Sequence, residues 1–280
     1  MKPKTILVCL TTEANTPSLL QAASVLARRT EAHVICLHTI EAIVVYPGIA
    51  MHIGAPAYDR FNASQRAQAD AIKAMVDQVA DVEDFVVEWR LLQSRSTTAA
   101  DRMLESARAA DLVIMAQEAP SEDRSDQHGV QEAVIRGAGR PVLVIPHHQM
   151  VDTLGERLLV GWSPTREAAR AAHDALMLAS DGAAAHILMA GKGTGPDDAD
   201  LETAKDLAAG FGRHGLETEL ISLAVASGTV AEALQSEAEA RKADLIVTGA
   251  FGHSRIYDFV LGAVTGDLLR HMRTPILFSK

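Results

Sequence analysis

Three glycines near the carboxyl end of this 280-residue sequence have the type and spacing that suit anion binding. Gly249 and Gly252 are three residues apart, and Gly262 follows after nine intervening residues. Glycine has no Cβ atom to keep a ligand away from the backbone, and the first amides of a following helix lack partners within that helix. The spacing predicts a turn whose main-chain N–H groups hold an anion, such as the phosphate of a nucleotide. The alternative is that the glycines only form a tight turn between a strand and a helix.

The residues on either side of the glycines favour the same chemistry. An apolar run, Leu245 to Val247, indicates a buried parallel strand before the turn, and helical periodicity follows from about Gly262 to His271. The other residues that we predict to contact the anion are His253, Ser254, Arg255, Ala263, Val264 and Thr265. His253 is equally well explained as an exposed loop residue, and Arg255 as the partner of an acidic neighbour. Thr265 could cap the helix and bind at the same time.

The segment GAFGHSRIYDFVLGAVTGDLLRHMRTPIL closely resembles the nucleotide-binding signature of the universal stress protein family. The likeness rests on the glycine spacing, on the ADLIV strand before it and on the strand Pro275 to Phe278 after it. It implies an open parallel sheet flanked by helices and a site for ATP or a related adenine nucleotide, such as ADP or AMP, with Mg²⁺ held through phosphate oxygens. Ala263 departs from the family pattern, which often has serine or threonine there. Thr265 is the nearby hydroxyl that could replace it.

The whole chain reads as two copies of this domain. Asp244 of ADLIV lies 133 residues after Asp111 of ADLVI, whereas Leu158 of LLVGW lies 152 residues after Ile6 of ILVCL, so the first half carries about 19 extra residues. We therefore predict an α/β protein of two tandem domains, residues 1–147 and 156–280. The alternation of strands and helices predicts a parallel sheet in each, and the resemblance implies that each sheet is open, has five strands and is flanked by helices. The join, at about His147 to Glu156, is short and polar.

Hydrophobic periodicity places the elements of both halves. Strands are predicted at Ile6 to Leu10, His33 to His38, Asp84 to Leu92, Ala110 to Met115, Pro141 to Ile145, Leu158 to Trp162, Ala185 to Ala190, Leu245 to Val247 and Pro275 to Phe278. Helices are predicted at about Ser18 to Arg29, Ala63 to Val79, Thr98 to Arg108 and Val130 to Arg136. From Glu41 to about Asn62, prolines and glycines among apolar residues predict a long loop or lid. The resemblance also implies that the last strands of the two domains pair with each other, which would protect two apolar edges.

Composition narrows the classes of function. Aromatic residues make up 4% of the chain and the formal charge is −10, which argues against a protein that binds nucleic acid by base stacking or through a basic surface. We expect no signal peptide and no membrane-spanning segment. The two cysteines, Cys9 and Cys36, lie in apolar runs. They are predicted to be buried, unpaired thiols of a cytoplasmic protein rather than a redox pair.

The first half is predicted to have lost the anion site. Ala116 and Ala119 stand where the second half has Gly249 and Gly252. Alanine does not readily adopt the backbone angles open to glycine, and the adjacent Pro120 has no N–H to donate. Four acidic residues of the same segment would repel a phosphate: Glu118, Glu122, Asp123 and Asp126.

The remaining predicted contacts lie at the ends of the first two strands of the second half, because ligands of open parallel sheets bind beyond the carboxyl ends of the strands. The first strand contributes Gly161, Trp162 and Ser163. Ser163 stands where the family commonly has an aspartate that contacts adenosine. Trp162 is either a stacking platform for a base or a residue of the core or of a pocket wall. Met189 and Ala190, at the end of the second strand, should offer backbone groups to the base.

Other candidate sites have weaker support. The pair His147 and His148 lacks nearby cysteines or a helix-spaced carboxylate, so we predict no metal site. The segment Gly191 to Asp198, GKGTGPDD, lacks the lysine and hydroxyl that end a P-loop and is interpreted as a solvated turn. No nucleophile, base and orienting group can be assembled from the sequence spacing, so no catalytic residue is predicted.

Three functional hypotheses follow. The first is a stress-response protein whose second half binds ATP or a related nucleotide, with a regulatory outcome. The second is slow ATP hydrolysis or nucleotidyl transfer in the same pocket. The third is a ligand-free scaffold in which the segment Glu41 to Asn62 docks an unidentified protein. The expected partners are an adenine nucleotide, the second domain of the same chain and a protein or homodimer, with no nucleic acid and no membrane.

Overall fold

Ten strands form a single sheet in the computed structural model of the chain, which describes residues 2–41, 55–94, 98–118, 129–147, 149–192, 195, 197–252 and 263–280. The first half contains β1 (Thr5–Leu10), α1 (Thr16–Thr30), β2 (His33–Glu41), α2 (Ala55–Val82), β3 (Val87–Ser94), α3 (Ala99–Ala107), β4 (Leu112–Ala116), α4 (Val130–Gly137) and β5 (Val142–Ile145). The second half contains β6 (Arg157–Gly161), α5 (Arg166–Ala175), β7 (Ala184–Lys192), α6 (Asp198–Arg213), β8 (Glu217–Val225), α7 (Val230–Ala240), β9 (Leu245–Gly249), α8 (Ala263–His271) and β10 (Ile276–Ser279).

The strands follow the order β3-β2-β1-β4-β5-β10-β9-β6-β7-β8. Neighbouring strands are parallel within each half. The exception is the central pair, β5 and β10, which is antiparallel with Ile276 opposite Val144 and Leu277 opposite Leu143. The expected pairing between the last strands of the two halves is therefore confirmed. It joins two open sheets of five strands into one.

Two layers of helices cover the sheet, because successive side chains of a strand point to opposite faces. Ile6 and Val8 of β1 pack in the layer formed by α1, α2, α5 and α6. Leu7 and Cys9 pack in the opposite layer, formed by α3, α4, α7 and α8. Aliphatic side chains dominate both layers, as the low aromatic content of the sequence requires.

Several predicted element boundaries differ from the structure, and two of the differences concern the long loop and the third strand of the first half. The loop expected from Glu41 to about Asn62 is too long, because Glu41 ends β2 and residues 55–62 form the first two turns of α2. Pro56 is the second residue of that helix, where a missing N–H costs no intrahelical bond, so the proline starts the helix instead of interrupting it. The strand expected from Asp84 begins three residues later. Residues 42–54 lie outside the described part of the chain, and the docking role suggested for this segment stays a prediction.

The two cysteines face opposite helix layers. Cys9 lies opposite Leu37 on β2, and Cys36 lies opposite Val8 on β1, so the two thiols are one position out of register and point to different faces. Both are buried and free. Burial raises the pKa of each thiol to about 12, so both are uncharged near neutral pH. The expectation of two unpaired core thiols is confirmed.

A half-buried arginine ties the first half to the second. The guanidinium group of Arg29, at the end of α1, donates to three oxygen atoms of the second half. These are the backbone carbonyls of Leu154, at 3.0 Å, and Leu178, and the hydroxyl of Ser180. Burial lowers the pKa of Arg29, and the charge of Asp244 opposes that shift. The contact satisfies backbone carbonyls that would otherwise lose their partners where the halves meet.

We expect Arg29→Ala to lower the free energy of unfolding by about 2 to 3 kcal/mol, because partly buried carbonyls lose their donor. The matched control is Arg28→Ala at the next position. Arg28 pairs with Glu83, but its side chain is 63% exposed, so its loss should lower the free energy of unfolding much less than the loss of Arg29. Urea unfolding of both variants measures the difference. Equal losses for the two variants would contradict the role assigned to Arg29.

Candidate functional site

The carboxyl ends of β6 and β9 lie side by side in the second half, with Gly161 opposite Thr248. From β6 the chain passes through α5 to β7 on one side, whereas β9 lies on the other side and is followed by α8. Helices α5 and α8 pack on opposite faces of the sheet. Connections diverge at this point, and open parallel sheets bind ligands in the crevice that such a divergence creates.

The loop after β6 forms one wall of this crevice. Gly161 ends the strand, and Trp162 donates its backbone N–H to β7 at 2.8 Å. Ser163 Oγ lies 3.3 Å from Oγ1 of Thr165, which accepts a hydrogen bond from Ala168 N at 3.3 Å. Thr165 is therefore the N-cap of α5. Its contact with Ser163 holds the predicted binding residue beside the start of the helix.

The indole ring of Trp162 contacts α6. Its Nε1 donates to Oγ1 of Thr203 on α6 at 3.1 Å. The ring lines a groove of about 330 Å³ whose walls include Leu176, Leu207 and Phe211 from α6 and the end of α5. The ring therefore packs as a wall of this groove, and its contact with a base stays a prediction.

Met189 and Ala190 lie just beyond the pairing of β6 with β7. That pairing ends at Gly161 opposite Leu188, whereas β7 continues to Lys192 beside β8. The two residues therefore lie at the edge of the crevice, where the expected backbone contacts with a base require them. The side chain of Met189 is buried among α5 and α6. The contacts themselves stay predictions.

The turn after β9 is anchored by α8. Ala250 donates its N–H to Ser279 O at 2.8 Å, which extends the pairing of β9 with β10. Phe251 follows with a φ of 53°, and its N–H donates to Oγ1 of Thr265 at 3.2 Å. Thr265 lies in the first turn of α8 and is 4% exposed. Its hydroxyl therefore fixes the turn, which is a role that the sequence does not reveal.

Gly249 and Gly252 lie against the first turn of α5. A Cβ atom on Gly249 would lie 2.6 Å from both the backbone nitrogen of Ala168 and the carbonyl carbon of Glu167. A Cβ atom on Gly252 would lie 3.0 Å from Oε2 of Glu167. Close packing of α5 against β9 thus requires glycine at position 249. This agrees with the tight-turn alternative, and the role of both glycines in anion binding stays a prediction.

Glu167 is a candidate functional residue that the sequence does not single out. Its side chain is 6% exposed, and its Oε1 pairs with Nε of Arg166 at 2.7 Å. That hydrogen bond and the charge of Glu167 raise the pKa of Arg166. The carboxylate lies beside Gly252, at the edge of the turn predicted to hold an anion. Acidic residues are common in the first turn of a helix, so the sequence gives no reason to select Glu167. Its closeness to Gly252 in the structure does.

Four predicted contact residues lie outside the described part of the chain: His253, Ser254, Arg255 and Gly262. Their roles stay predictions. Ala263 and Val264 are the first two residues of α8, and the side chain of Val264 is exposed. The structure therefore brings together the end of β6, the turn after β9 and the start of α8.

In the first half, a carboxylate already occupies the start of the corresponding helix. Glu118 Oε1 accepts a hydrogen bond from the backbone N–H of Gln131, in the first turn of α4, at 2.9 Å. Gln131 Nε2 donates in turn to Ala116 O, at the end of β4, at 2.8 Å. Helix starts attract anions, and here the chain supplies its own. The remaining residues named for the loss of this site lie outside the described ranges: Ala119, Pro120, Glu122, Asp123 and Asp126.

Other candidate sites have structural explanations. Asp197, in the segment GKGTGPDD, caps α6 by accepting a hydrogen bond from Asp200 N at 2.8 Å, so the acidic end of that segment starts a helix. Among the described residues, no three His, Cys, Asp or Glu side chains are grouped so that they could hold a metal ion. Within the same ranges, no helix combines the length and the apolar composition needed to cross a bilayer.

A match to the model of one protein family shows to which family the chain belongs. The model of the "Universal stress protein family" matches residues 2–146 and matches again at residues 155–280. The chain belongs to the universal stress protein family. The two matches coincide with the two halves of the sheet, which describes a universal stress protein in tandem form.

Solved universal stress proteins share this fold. One from Archaeoglobus fulgidus DSM 4304 has a TM-score of 0.71 and 19% identity, with the match covering 98% of this chain and 96% of that one. A candidate universal stress protein from Pseudomonas aeruginosa UCBPP-PA14 has a TM-score of 0.58 and 16% identity, with 99% and 93% covered. At these identities the likeness concerns the fold. No curated protein matches the sequence.

We expect Gly249→Ala to lower the free energy of unfolding by about 1 to 3 kcal/mol, because the added methyl group collides with the backbone of α5. Gly210→Ala is the matched control. Gly210 lies within α6, where a Cβ atom would have nothing within 4 Å, so the same change should stabilise the protein by up to about 1 kcal/mol. Thermal and urea unfolding measure both values. A neutral Gly249→Ala would show that α5 does not depend on this contact.

Proposed function

We propose that this universal stress protein binds ATP or a related adenine nucleotide in the crevice of its second half. The observation that carries the proposal is the meeting of the turn from Gly249 to Gly252 with the start of α8, beside the end of β6. Exposed backbone amides of turns and helix starts are the groups that bind phosphate without a charged side chain. The ends of neighbouring parallel strands are where the rest of such a ligand binds in open sheets.

In the proposed complex, the phosphates lie against the turn and the start of α8, and the nucleoside lies between the loop after β6 and the end of β7. The loop donors that would contact phosphate are His253, Ser254 and Arg255. Ser163 offers the sugar one hydroxyl, where a carboxylate would offer two acceptor oxygens. Binding in the second half agrees with the first half, where Glu118 takes the place of an external anion.

We propose a regulatory role rather than turnover. A ligand that binds the native turn would shift the conformational population of the second half, and with it the surface offered to a partner protein. Membership of the universal stress protein family supports a role in the response to stress.

Calorimetry and thermal unfolding with ATP, ADP, AMP and GTP, each with Mg²⁺, test the binding. We expect adenine nucleotides to stabilise the protein by about 2.7 kcal/mol at 100 times the Kd. Gly252→Asp should abolish binding, because it adds a second carboxylate beside Glu167. Ala119→Asp, the matched change in the first half, should leave binding intact. Circular dichroism checks that both variants are folded.

An absence of binding heat and of any rise in Tm with all four nucleotides would refute the proposal. Loss of binding in Ala119→Asp together with its retention in Gly252→Asp would assign the site to the first half instead. Phosphate release from ATP by the wild type, but not by Gly252→Asp, would favour the hydrolase hypothesis over the regulatory one.

The buried carboxylate of Glu167 predicts that the nucleotide binds together with Mg²⁺. Arg166 pairs with Oε1 of this carboxylate and offsets part of its charge. Without such pairing, two unit negative charges about 4 Å apart repel by about 4 kcal/mol at the effective dielectric constant near a protein surface. A divalent cation between carboxylate and phosphate oxygens would remove that repulsion. We expect chelation of Mg²⁺ to raise the Kd of the wild type for ATP by about tenfold or more, which corresponds to about 1.4 kcal/mol or more. Chelation should raise the Kd of Glu167→Gln much less.

The control for Glu167→Gln is Glu239→Gln, because the side chain of Glu239 is 76% exposed and lies on α7. This control should keep the full dependence on Mg²⁺. If chelation changes the Kd of all three proteins by the same factor, Glu167 does not contact the cation.

A further inference from the structure

Phe251, the residue between Ala250 and Gly252, has a backbone conformation that its surroundings must maintain. Its φ is 53°, in the left-handed region that non-glycine residues rarely adopt. Its side chain is 6% exposed. Such a conformation is disfavoured because the Cβ atom crowds the following carbonyl oxygen, so it persists only where other contacts hold it. What holds Phe251 therefore holds the whole turn.

The contact on the ring of Phe251 comes from the first half. The guanidinium carbon of Arg136, on α4, lies 3.5 Å from the centre of the ring. Nε of the same guanidinium pairs with Oε1 of Glu132 at 2.6 Å, which fixes its orientation. A guanidinium over an aromatic ring is an attractive contact, and it strengthens as water is excluded. Arg136 thus presses on Phe251 while Thr265, from the second half, holds its N–H.

The first half also holds the far end of α8. Gln117, which follows β4, donates through Nε2 to the carbonyls of Leu269 at 2.8 Å and Arg270 at 3.1 Å. These carbonyls lie in the last turn of the helix, where intrahelical donors are lacking. Gln117 Oε1 accepts from His147 N at 3.3 Å, so the amide group is itself fixed. Both the turn and the helix of the proposed site therefore rest on the first half.

These contacts run from the first half to the second. Glu118 stands 133 positions before Phe251, at the corresponding place in the first half. There it binds the start of its own helix through Gln131. The first half supplies a carboxylate to its own helix start and a guanidinium group to the turn of the second half.

We propose that the first half is the positioning partner of the nucleotide site, with Arg136 acting through Phe251 to set the backbone of the turn for phosphate. This inference rests on the proposed function. It gives the first half a task in ligand binding although it binds no nucleotide itself. Arg136 is a positioning residue and touches no ligand.

The test is a double-mutant cycle with Arg136→Met and Phe251→Leu, read as the Kd for ATP with Mg²⁺. Arg136→Met should raise the Kd by about tenfold, within the strength of a partly buried cation–aromatic contact. In the Phe251→Leu background the same change should have little further effect. Arg136→Lys should restore part of the affinity. The matched control is Arg102→Met, because Arg102 pairs with Glu105 three residues on but contacts no ring in the described structure.

Hydrogen exchange without nucleotide gives a second readout. The Phe251 amide, bonded to Thr265, should exchange faster in Arg136→Met at unchanged global stability. The inference is overturned if the wild type binds ATP and Arg136→Met has the same Kd for ATP and the same exchange rate at the Phe251 amide. The proposed function would then remain intact. If the wild type binds no nucleotide, the proposed function fails. The inference then fails with it, even if exchange at Phe251 responds to Arg136.

Discussion

The antiparallel pairing of β5 with β10 is the contact on which the rest of the structure depends. Each strand has four residues, and all of them are buried. As open edges, two such apolar strands would offer unpaired backbone groups to other chains. Their register also decides which residues of the two halves meet. It places α4 over the turn that follows β9, and it brings Gln117 to the end of α8.

The sequence predicts the fold well because buried parallel strands are short apolar runs that end at charged residues or glycine. ADLVI and ADLIV are such runs, and their repeat reveals two similar halves. Element boundaries are harder to predict where one residue type occurs in two kinds of local structure. Pro56 is read as a breaker in a loop, yet the start of a helix accepts it. The apolar residues around Asp84 continue the pattern of β3 although pairing begins only at Val87.

The sequence also predicts some parts of the candidate site and not others. Glycine spacing locates the turn, and acidic residues after β4 mark the half in which Glu118 closes the helix start. Thr265, Glu167 and Arg136 have no such local signal. Their contacts with the turn join segments that are distant in the sequence, and each residue type has an ordinary role where it stands. A threonine near a helix start, an acid in a first turn and an arginine paired with a glutamate four residues away are all common on their own.

Because the central pairing lies within one chain, β3 and β8 become the outer borders of the sheet. On β3, Glu88 pairs with Arg90, and on β8, Glu219 pairs with Arg241, so a strand from another molecule would have to displace charged, hydrated side chains to add there. A dimer of two separate domains dissociates on dilution. Two domains on one chain instead meet at a local concentration that is set by the short connection between them. Formation of the ten-stranded sheet is thus independent of the concentration of the protein in the cell.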